Sequence, residues 1–352
     1  MLREDLGEFM HAIAARQRTR RTSWPNWKNP AVRKSIHFFL AAALALSAGC
    51  TAIRYEPDPQ PLEPGRLPAP DLAVSIPHLG PCTDSPDRTL RFNSNYPVTV
   101  LVHGCNGSAG RFRALAQLYA FHGQQSVCFS YDDRDSLLVS SGQLIGALDA
   151  LASRLRDHHL TVIGHSMGGL VARKALELER RGEWRNADAT IRLATISAPI
   201  SGIAASSTCG ITPLQWLSLG VLPGMCWLIT GDNWSEITPY SDFIRRPGPL
   251  LPSVQRYLKV VTDERDTCRR RTKDGYCLES DHIFSLAEQY QPVVDRYPQL
   301  VNVEVEAGHV EIVGYKDVAP RKLLSILQRE DMLATTPPER RSALERLLAI
   351  LY

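Results

Sequence analysis

The stretch that most constrains this chain is an apolar run that leads directly into Gly164-His165-Ser166-Met167-Gly168. The run itself, residues 160–163, has the β-branched and apolar character of a buried parallel strand. Residues 170–178 repeat apolar side chains at helical spacing. A strand that turns into a helix within about three residues strains the turning residue and leaves no room for side chains two positions before and after it. The pattern predicts a sharp turn that exposes the Ser166 hydroxyl; the alternative is a glycine-rich turn with an incidental serine.

The body of the chain alternates between segments of strand and helix character. Predicted strands are residues 98–102, 126–131, 160–163, 191–196, 257–261 and 301–305, and predicted helices are 111–121, 141–158, a helix from 167, and 318–329. Such alternation predicts an α/β fold with a mostly parallel sheet and helices on both faces. Residues 89–92 are a candidate antiparallel edge strand. A last amphipathic segment, within 336–352, is predicted to be a helix packed on the body.

The alternation breaks between Ser197 and Ser253, around an insertion at about residues 203–250. This stretch contains three tryptophans, many aliphatic residues and frequent glycine and proline, so it is too long and too apolar for a simple loop. An apolar insertion above a site is typical of a lid or an acyl-chain pocket. A helical cap without substrate contact is the alternative.

The positive charge of the chain is concentrated at its front. Of the 352 residues, the first 49 carry eight basic and three acidic side chains, and the rest carry 32 basic and 34 acidic ones, a net charge of −2. A body of this charge has no basic surface of the kind that binds nucleic acid, so that class of partner is not expected.

The front of the chain has the character of a targeting segment. An uncharged apolar run, residues 38–48, follows Arg33 and Lys34 and precedes Cys50. The run is too short to span a bilayer comfortably and fits the apolar core of an export signal. Ala48-Gly49-Cys50 resembles a bacterial lipobox, in which the cysteine is lipidated. Translation starting at Val32 would give a more compact signal of this type.

We therefore predict a signal in residues 1–49, a lipidated Cys50 and a proline-rich tether in residues 50–80. The tether would hold an exported domain, residues 81–335, at a membrane facing the periplasm or the cell exterior. A cleaved soluble export signal and an uncleaved anchor are the alternatives.

Seven cysteines follow Cys50, and in an exported protein they are candidates for disulfides. Spacing favours the local pairs Cys209–Cys226 and Cys268–Cys277. Cys105 and Cys128 each end a predicted strand and could meet, which would leave Cys82 unpaired; several buried thiols are the alternative. No pair of cysteines has the spacing of a zinc site, and no metal or organic cofactor is expected.

A serine hydroxyl needs a general base that is itself oriented by an acid. His309 follows the predicted strand 301–305 and so lies at the same sheet edge as Ser166, which makes it the candidate base; the alternative is a surface histidine.

Three acids are candidates. Asp263 and Asp266 directly follow strand 257–261, and Asp281 returns to that strand end if residues 264–278 form a disulfide-closed excursion.

Acyl transfer also needs two backbone N–H groups that stabilise the oxyanion. One candidate donor is Met167, directly after the serine at a helix start. The other is expected in the loop 103–107 after the first parallel strand, where Cys105 is the first candidate and Asn106 the second.

Three motifs together carry a family resemblance: Val102-His-Gly-Cys-Asn-Gly107, Gly164-His-Ser-Met-Gly-Gly-Leu-Val-Ala-Arg173 and Ala307-Gly-His309. They resemble the α/β-hydrolase superfamily, within it the lipase and GPI inositol-deacylase-like branch, over about residues 95–330. The resemblance implies an α/β-hydrolase fold and a Ser-Asp-His triad. The run that starts at Asp281 is similar to the Asp-x-x-Val-Pro-x-x-x-Ala element that carries the acid in many lipases, which favours Asp281. The segment Ile196-Ser-Ala-Pro-Ile-Ser-Gly202 departs from the branch's usual Thr-Pro-His-x-Gly.

These motifs predict a serine hydrolase that cleaves lipid or other acyl esters through an acyl-enzyme. The alternatives are an acyltransferase, an amidase or a thioesterase on the same residues. A different class is a membrane-tethered binding protein that keeps the fold without catalysis.

Overall fold

The computed structural model describes residues 66–204, 206 and 231–352. The signal segment 1–49, Cys50, the first part of the tether and the pair Cys209–Cys226 lie outside the described residues. So does most of the insertion 203–250.

A seven-stranded sheet forms the centre of the described part. The strands in chain order are β1 Leu72–Val74, β2 Leu79–Gly80, β3 Leu90–Phe92, β4 Val98–Val102, β5 Gln125–Phe129, β6 His159–His165, β7 Thr190–Ile196, β8 Val254–Asp263, β9 Cys268–Arg271, β10 Cys277–Ser280 and β11 Leu300–Glu306. The order in the main sheet is β11-β8-β7-β6-β4-β5-β2, and every neighbouring pair is parallel except β2–β5. Strands β1 and β3 form a separate antiparallel pair, and so do β9 and β10.

Helices cover both faces of this sheet. They are α1 Arg113–Phe121, α2 Leu137–Ala152, α3 Met167–Ala175, α4 Asp242–Arg245, α5 Leu286–Gln289, α6 Pro292–Asp295, α7 Arg321–Arg329 and α8 Arg341–Leu351, with 3-10 turns at Ala109–Phe112, Leu178–Glu183, Gly231–Ser235, Glu311–Val313 and Pro338–Arg340. One apolar cluster includes α2 and α3, and a second includes α1, α7 and α8. The predicted architecture is confirmed, and the chain has the α/β-hydrolase fold.

The central strands are predicted well because they are buried on both faces. All five residues of β4 are buried, and its bounds are those predicted. Buried parallel strands consist of continuous apolar residues, which is the strongest strand signal in a sequence. The edge strand differs from the prediction. Residues 90–92 pair with β1 outside the main sheet, and β2 is the antiparallel edge.

The body begins earlier than the predicted tether boundary at residue 80. Ile76 and Leu79 are buried in the main apolar cluster, and Asp71 accepts hydrogen bonds from the backbone N–H and the hydroxyl of Ser94, both at 2.7 Å. Proline is compatible with edge strands and extended segments, so the proline content of this region does not prevent it from packing.

Two disulfides lie in the described residues, Cys82–Cys128 and Cys268–Cys277. The second is as predicted, whereas the expected Cys105–Cys128 pair is not formed. The reason is strand register: Gly80 of β2 lies opposite Cys128 of β5, so Cys82 is brought to a Cα–Cα distance of 4.9 Å. Cys105 is exposed on the loop after β4.

The C-terminal helix α8 packs on the body as predicted. Leu348 is 2% exposed in the second apolar cluster, and Leu344, Leu347 and Leu351 contact the same cluster. Across residues 66–204, 206 and 231–352, no helix combines the length and the apolar character that crossing a bilayer requires. Of the insertion, the described end packs on the main core through Ile237, Ile244 and Leu250.

Candidate active site

Ser166 lies in the strand-to-helix turn that the pentapeptide predicts. Strand β6 ends at His165 and helix α3 starts at Met167, while Ser166 has φ 57° and ψ −130°. A Cβ atom on Gly164 would lie 2.4 Å from the carbonyl oxygen of Gly168. The turn is therefore closed to larger residues at this position, and the strained serine is held by the packing around it.

His309 lies beside Ser166 at the same edge of the sheet. It follows β11, whose carboxyl end is next to that of β8, and its Nε2 is 3.1 Å from Ser166 Oγ. Both residues are 6% exposed. The ring of Phe284 packs edge-on against the imidazole at a centroid distance of 4.8 Å.

The carboxylate at the other imidazole nitrogen belongs to Glu264. Its Oε1 is 3.0 Å from His309 Nδ1, and its side chain is fully buried directly after β8. Oε1 also accepts a hydrogen bond from Ser197 Oγ at 2.6 Å. Oε2 accepts the backbone N–H groups of Ile283 and Phe284 at 2.6 and 2.8 Å. Each oxygen of the carboxylate is thus within hydrogen-bond distance of at least two donors.

Glu264 is held in its ionised form. Burial alone would raise the pKa of Glu264, but hydrogen bonds from His309, from Ser197 and from the Phe284 N–H, together with the attraction to the His309 ring, hold this pKa below the ordinary 4.5. A carboxylate only accepts hydrogen bonds, so His309 Nδ1 carries the proton and Nε2 is left to accept one from Ser166.

Asp281 lies near His309 but does not face its ring. Its carboxylate accepts the backbone N–H groups of Val310 and Glu311 and pairs with Arg269. It is therefore in contact with the backbone after the histidine rather than with the imidazole, because the excursion 264–280 brings it back alongside that loop instead of to the end of β8.

The other two acid candidates also lie away from the imidazole. Asp263 pairs with Arg265 at the surface, and hydrogen bonds from Arg265 lower the pKa of Asp263 to about 2. Asp266 is an exposed turn residue with φ 60°. Residues 263 and 264 leave the same strand end in opposite directions, as successive residues of an extended chain do.

The loop after β4 packs directly against the serine. A Cβ atom on Gly104 would lie 2.8 Å from Ser166 Cβ, so only glycine permits this approach. The loop is fixed by a turn from Gly107 N–H to the Gly104 carbonyl at 3.1 Å and by the Tyr131 hydroxyl, which donates to the His103 carbonyl at 2.7 Å.

The two predicted N–H donors lie on either side of this contact. Cys105 follows Gly104, and Met167 is the first residue of α3, where the N–H groups have no acceptor within the helix. The N–H of Asn106, the second candidate in the loop, donates to the carboxylate of Asp133.

His165, next to the serine, has a role that the sequence does not indicate. Its Nε2 lies 2.8 Å from the backbone carbonyl of His309. Burial, with the neighbouring His309 ring, lowers the pKa of His165 to about 3, so the ring is neutral and donates through Nε2–H. In the ranges that the structure describes, the active site included, no cluster of three His, Cys, Asp or Glu side chains is arranged to hold a metal ion.

No protein-family model matches the sequence, and no curated protein matches it either. Among solved structures, the chain is similar to a lipase of Bacillus licheniformis in its mature form, with 14% identity, 72% of this chain and 96% of that chain covered, and a TM-score of 0.44. It is similar to an esterase of Pyrococcus furiosus, with 16% identity, coverage of 75% and 91%, and a TM-score of 0.42. It is also similar to esterase B of Lactobacillus rhamnosis, with 12% identity, coverage of 90% and 97%, and a TM-score of 0.45. Likeness at this level carries no information about the substrate of this chain.

Proposed function

We propose that the chain is a serine hydrolase that cleaves carboxylic esters, with Ser166 as nucleophile, His309 as general base and Glu264 as the acid. The observation that carries this proposal is the His309 imidazole, which bridges Ser166 Oγ at 3.1 Å and Glu264 Oε1 at 3.0 Å. Glu264 replaces Asp281, the acid expected from the sequence, in this role.

In the first step, His309 Nε2 takes the proton of Ser166 as Oγ attacks the ester carbonyl. The negative charge that develops on the carbonyl oxygen is stabilised by the backbone N–H groups of Met167 and Cys105, each worth roughly 3 kcal/mol in such sites. The C–O bond to the alcohol then breaks, and the alcohol takes the proton from Nε2. An acyl group is left on Ser166.

In the second step, water takes the place of the alcohol. His309 removes a proton from the water as its oxygen attacks the acyl carbonyl, and the proton passes to Ser166 Oγ as the acid product leaves. Glu264 stays ionised throughout: it keeps the proton of the neutral imidazole on Nδ1 and stabilises the imidazolium that forms in each step.

A fluorophosphonate probe tests the nucleophile directly, because it forms a stable bond only with an activated serine. We expect wild-type protein to be labelled at Ser166. The variant Ser166→Ala should not be labelled, although its melting temperature should be unchanged. The control Ser153→Ala, which changes an exposed serine at the end of helix α2, should be labelled like wild type. Absence of label on the folded wild-type protein, or label on another residue, would reject the proposed function.

We further propose that the insertion 203–250 forms the acyl-chain pocket. Support comes from its described end, where Asn233 Nδ2 lies 3.8 Å from Met167 Sδ, beside the nucleophile, and donates to the Asp133 carbonyl at 2.8 Å. A series of nitrophenyl esters with acyl chains of about two to sixteen carbons tests this. The variant Ile237→Ala should change the chain length that is hydrolysed fastest. The matched control Ile350→Ala, at an exposed position of helix α8, should leave that preference unchanged. Products formed with added alcohol separate hydrolysis from transfer.

We also propose that the protein is exported and held at a membrane by a lipid on Cys50. The two disulfides of the described residues support an oxidising compartment. Mass spectrometry of the mature protein should find an N-terminal, diacylated Cys50, and Cys50→Ala should release the enzyme from the membrane fraction. An intact Met1 in the membrane fraction would reject lipidation.

A further inference from the structure

Given the proposed function, we propose that Asp281 and Arg269 form a positioning pair that holds the backbone of the catalytic histidine. The hairpin β9–β10, which a disulfide closes, places the arginine beside the aspartate. Neither residue touches the reacting atoms. Their effect on catalysis passes through the backbone on which His309 is carried.

Asp281 binds three consecutive N–H groups of the histidine loop. Its backbone carbonyl accepts the His309 N–H at 2.9 Å, and its carboxylate accepts those of Val310 at 3.1 Å and Glu311 at 3.0 Å. The 3-10 turn Glu311–Val313 starts at this point, so the carboxylate caps its N-terminal donors from a distant part of the chain.

The buried carboxylate of Asp281 is paired with a cation. Asp281 is 2% exposed, and the Nε and Nη2 atoms of Arg269 lie 3.2 and 3.0 Å from its Oδ1. Removing one partner of a buried pair leaves the other charge without compensation, which costs far more than an exposed pair is worth. The loop position therefore depends on the arginine as well as on the aspartate.

The hairpin fixes where that arginine lies. Arg269 is in β9, next to Cys268, which is joined to Cys277 of β10. The base of the hairpin is closed by the Asp281 N–H, which donates to the Thr267 carbonyl at 3.2 Å. The disulfide thus fixes the chain next to Arg269, and the hydrogen bond fixes the chain at Asp281.

Gly308 gives independent evidence that the loop is built around this carboxylate. A Cβ atom at this position would lie 2.1 Å from Asp281 Oδ2, so any larger residue would displace the aspartate. On the other side, His165 donates to the His309 carbonyl at 2.8 Å. The peptide groups on both sides of the histidine Cα are therefore held, one by Asp281 and one by His165.

This arrangement predicts a loss in kcat with little change in KM. His309 acts on Ser166 during bond formation, so a displaced imidazole weakens the transition state more than the bound ester. A displacement of about 1 Å in a catalytic group can cost about a hundredfold in rate, and we expect a tenfold to hundredfold loss for Arg269→Met.

The test compares Arg269→Met, Arg269→Lys and Asp281→Asn in the full chain, using a soluble short-chain nitrophenyl ester. Rates are divided by the number of sites that a fluorophosphonate labels at saturation, so that unfolded protein does not count. We expect Arg269→Met and Asp281→Asn to lose kcat with KM within about threefold, and Arg269→Lys to recover most of the loss. The matched control is Arg271→Met, because Arg271 lies on the same hairpin and does not contact Asp281. Within the part of the chain that the structure describes, its guanidinium donates only to the Gly275 carbonyl, at 3.2 Å.

The double variant Cys268→Ser with Cys277→Ser opens the hairpin and keeps both charged partners, so it tests the pair even if Arg269→Met does not fold; we expect a smaller loss of kcat. Normal kcat per labelled site in Asp281→Asn and in the double cysteine variant would overturn the positioning proposal while leaving the serine hydrolase intact. A wild-type protein that neither hydrolyses esters nor takes the label would overturn both.

Discussion

Replacing Glu264 by glutamine tests the proposed acid with almost no change in shape. Oε2 of Glu264 accepts two backbone N–H groups, from Ile283 and Phe284, and only an oxygen can occupy that position. The glutamine nitrogen is therefore forced to the Oε1 position, where it faces His309 Nδ1. An amide N–H at that place removes the carboxylate that fixes the ring proton on Nδ1. It favours the tautomer with the proton on Nε2, in which the imidazole cannot take the proton of Ser166.

The size of the effect follows from the lost charge. A carboxylate and an imidazolium about 4 Å apart interact by about 4 kcal/mol at an effective dielectric constant of about 20. Since each 1.36 kcal/mol corresponds to about tenfold in rate, kcat should fall by about a thousandfold. KM should stay within about threefold, because Glu264 stabilises a charge that exists only after proton transfer.

The assay measures kcat and KM on a soluble nitrophenyl ester at neutral pH, with thermal unfolding to show that the variant folds. The control is Asp263→Asn, since Asp263 is the preceding carboxylate and its ion pair is with Arg265, whose side chain is 71% exposed. We expect it to keep activity within about twofold, because its carboxylate is bound to Arg265 and does not contact His309. A Glu264→Gln enzyme within tenfold of wild type would refute the assignment, above all if Asp281→Asn lost more.

Three further predictions follow from the same geometry. The pKa of Glu264 lies below 4.5 in the folded chain, so its ionised form stabilises the fold above that pH, and this stability is lost as the pH falls through the folded pKa. The melting temperatures of wild type and Glu264→Gln should therefore converge at acid pH. A difference between the two melting temperatures that stays constant with pH would contradict this. Cys105→Ser should keep kcat within about threefold because its backbone N–H is the proposed donor; a tenfold loss in ester hydrolysis would place the thiol in the chemistry instead. Gly104→Ala places a methyl group 2.8 Å from Ser166 Cβ and should slow fluorophosphonate labelling strongly. The control Gly146→Ala has no atom within 4 Å of the added methyl group, so it should be labelled normally and gain up to about 1 kcal/mol in the free energy of unfolding. Equal labelling rates for the two variants would show that the loop moves to accept the methyl group.

The sequence predicts the sheet and the nucleophile turn because both depend on local signals. Buried parallel strands are continuous apolar runs, and a strained turn needs glycines at fixed offsets from Ser166. The placement of His309 follows from one topological fact, that parallel strands share a carboxyl edge.

The proposed acid, Glu264, is not predicted from the sequence, because strand ends offer several carboxylates and only the orientation of the side chain separates them. Glu264 directly follows Asp263, and the alternation of side chains sends one to the buried side and the other to Arg265 at the surface. A signal was available in Arg265: an arginine two residues after an aspartate favours a local pair, which would have pointed to the neighbouring glutamate. The lipase-like run at Asp281 instead marks a residue that holds the histidine loop.

The partner of Cys128 is missed for a different reason. Cys105 follows a predicted strand, whereas the strand that leads to Cys82 has only two residues and lies in a region dominated by proline. A pairing this short leaves almost no pattern in the sequence, although it fixes the disulfide.

That two-residue strand also forms one edge of the main sheet. Open sheet edges invite association between molecules, and chains resist it with short edge strands, proline and charge. At one edge β2 ends at Gly80, Pro81 follows it, and Cys82 is joined to Cys128 of β5 by a disulfide. At the other edge β11 exposes Asn302, Glu304 and Glu306 in alternation. Each edge of the sheet thus presents either a very short strand or a row of exposed polar and acidic side chains, and both features disfavour the addition of a strand from a second molecule.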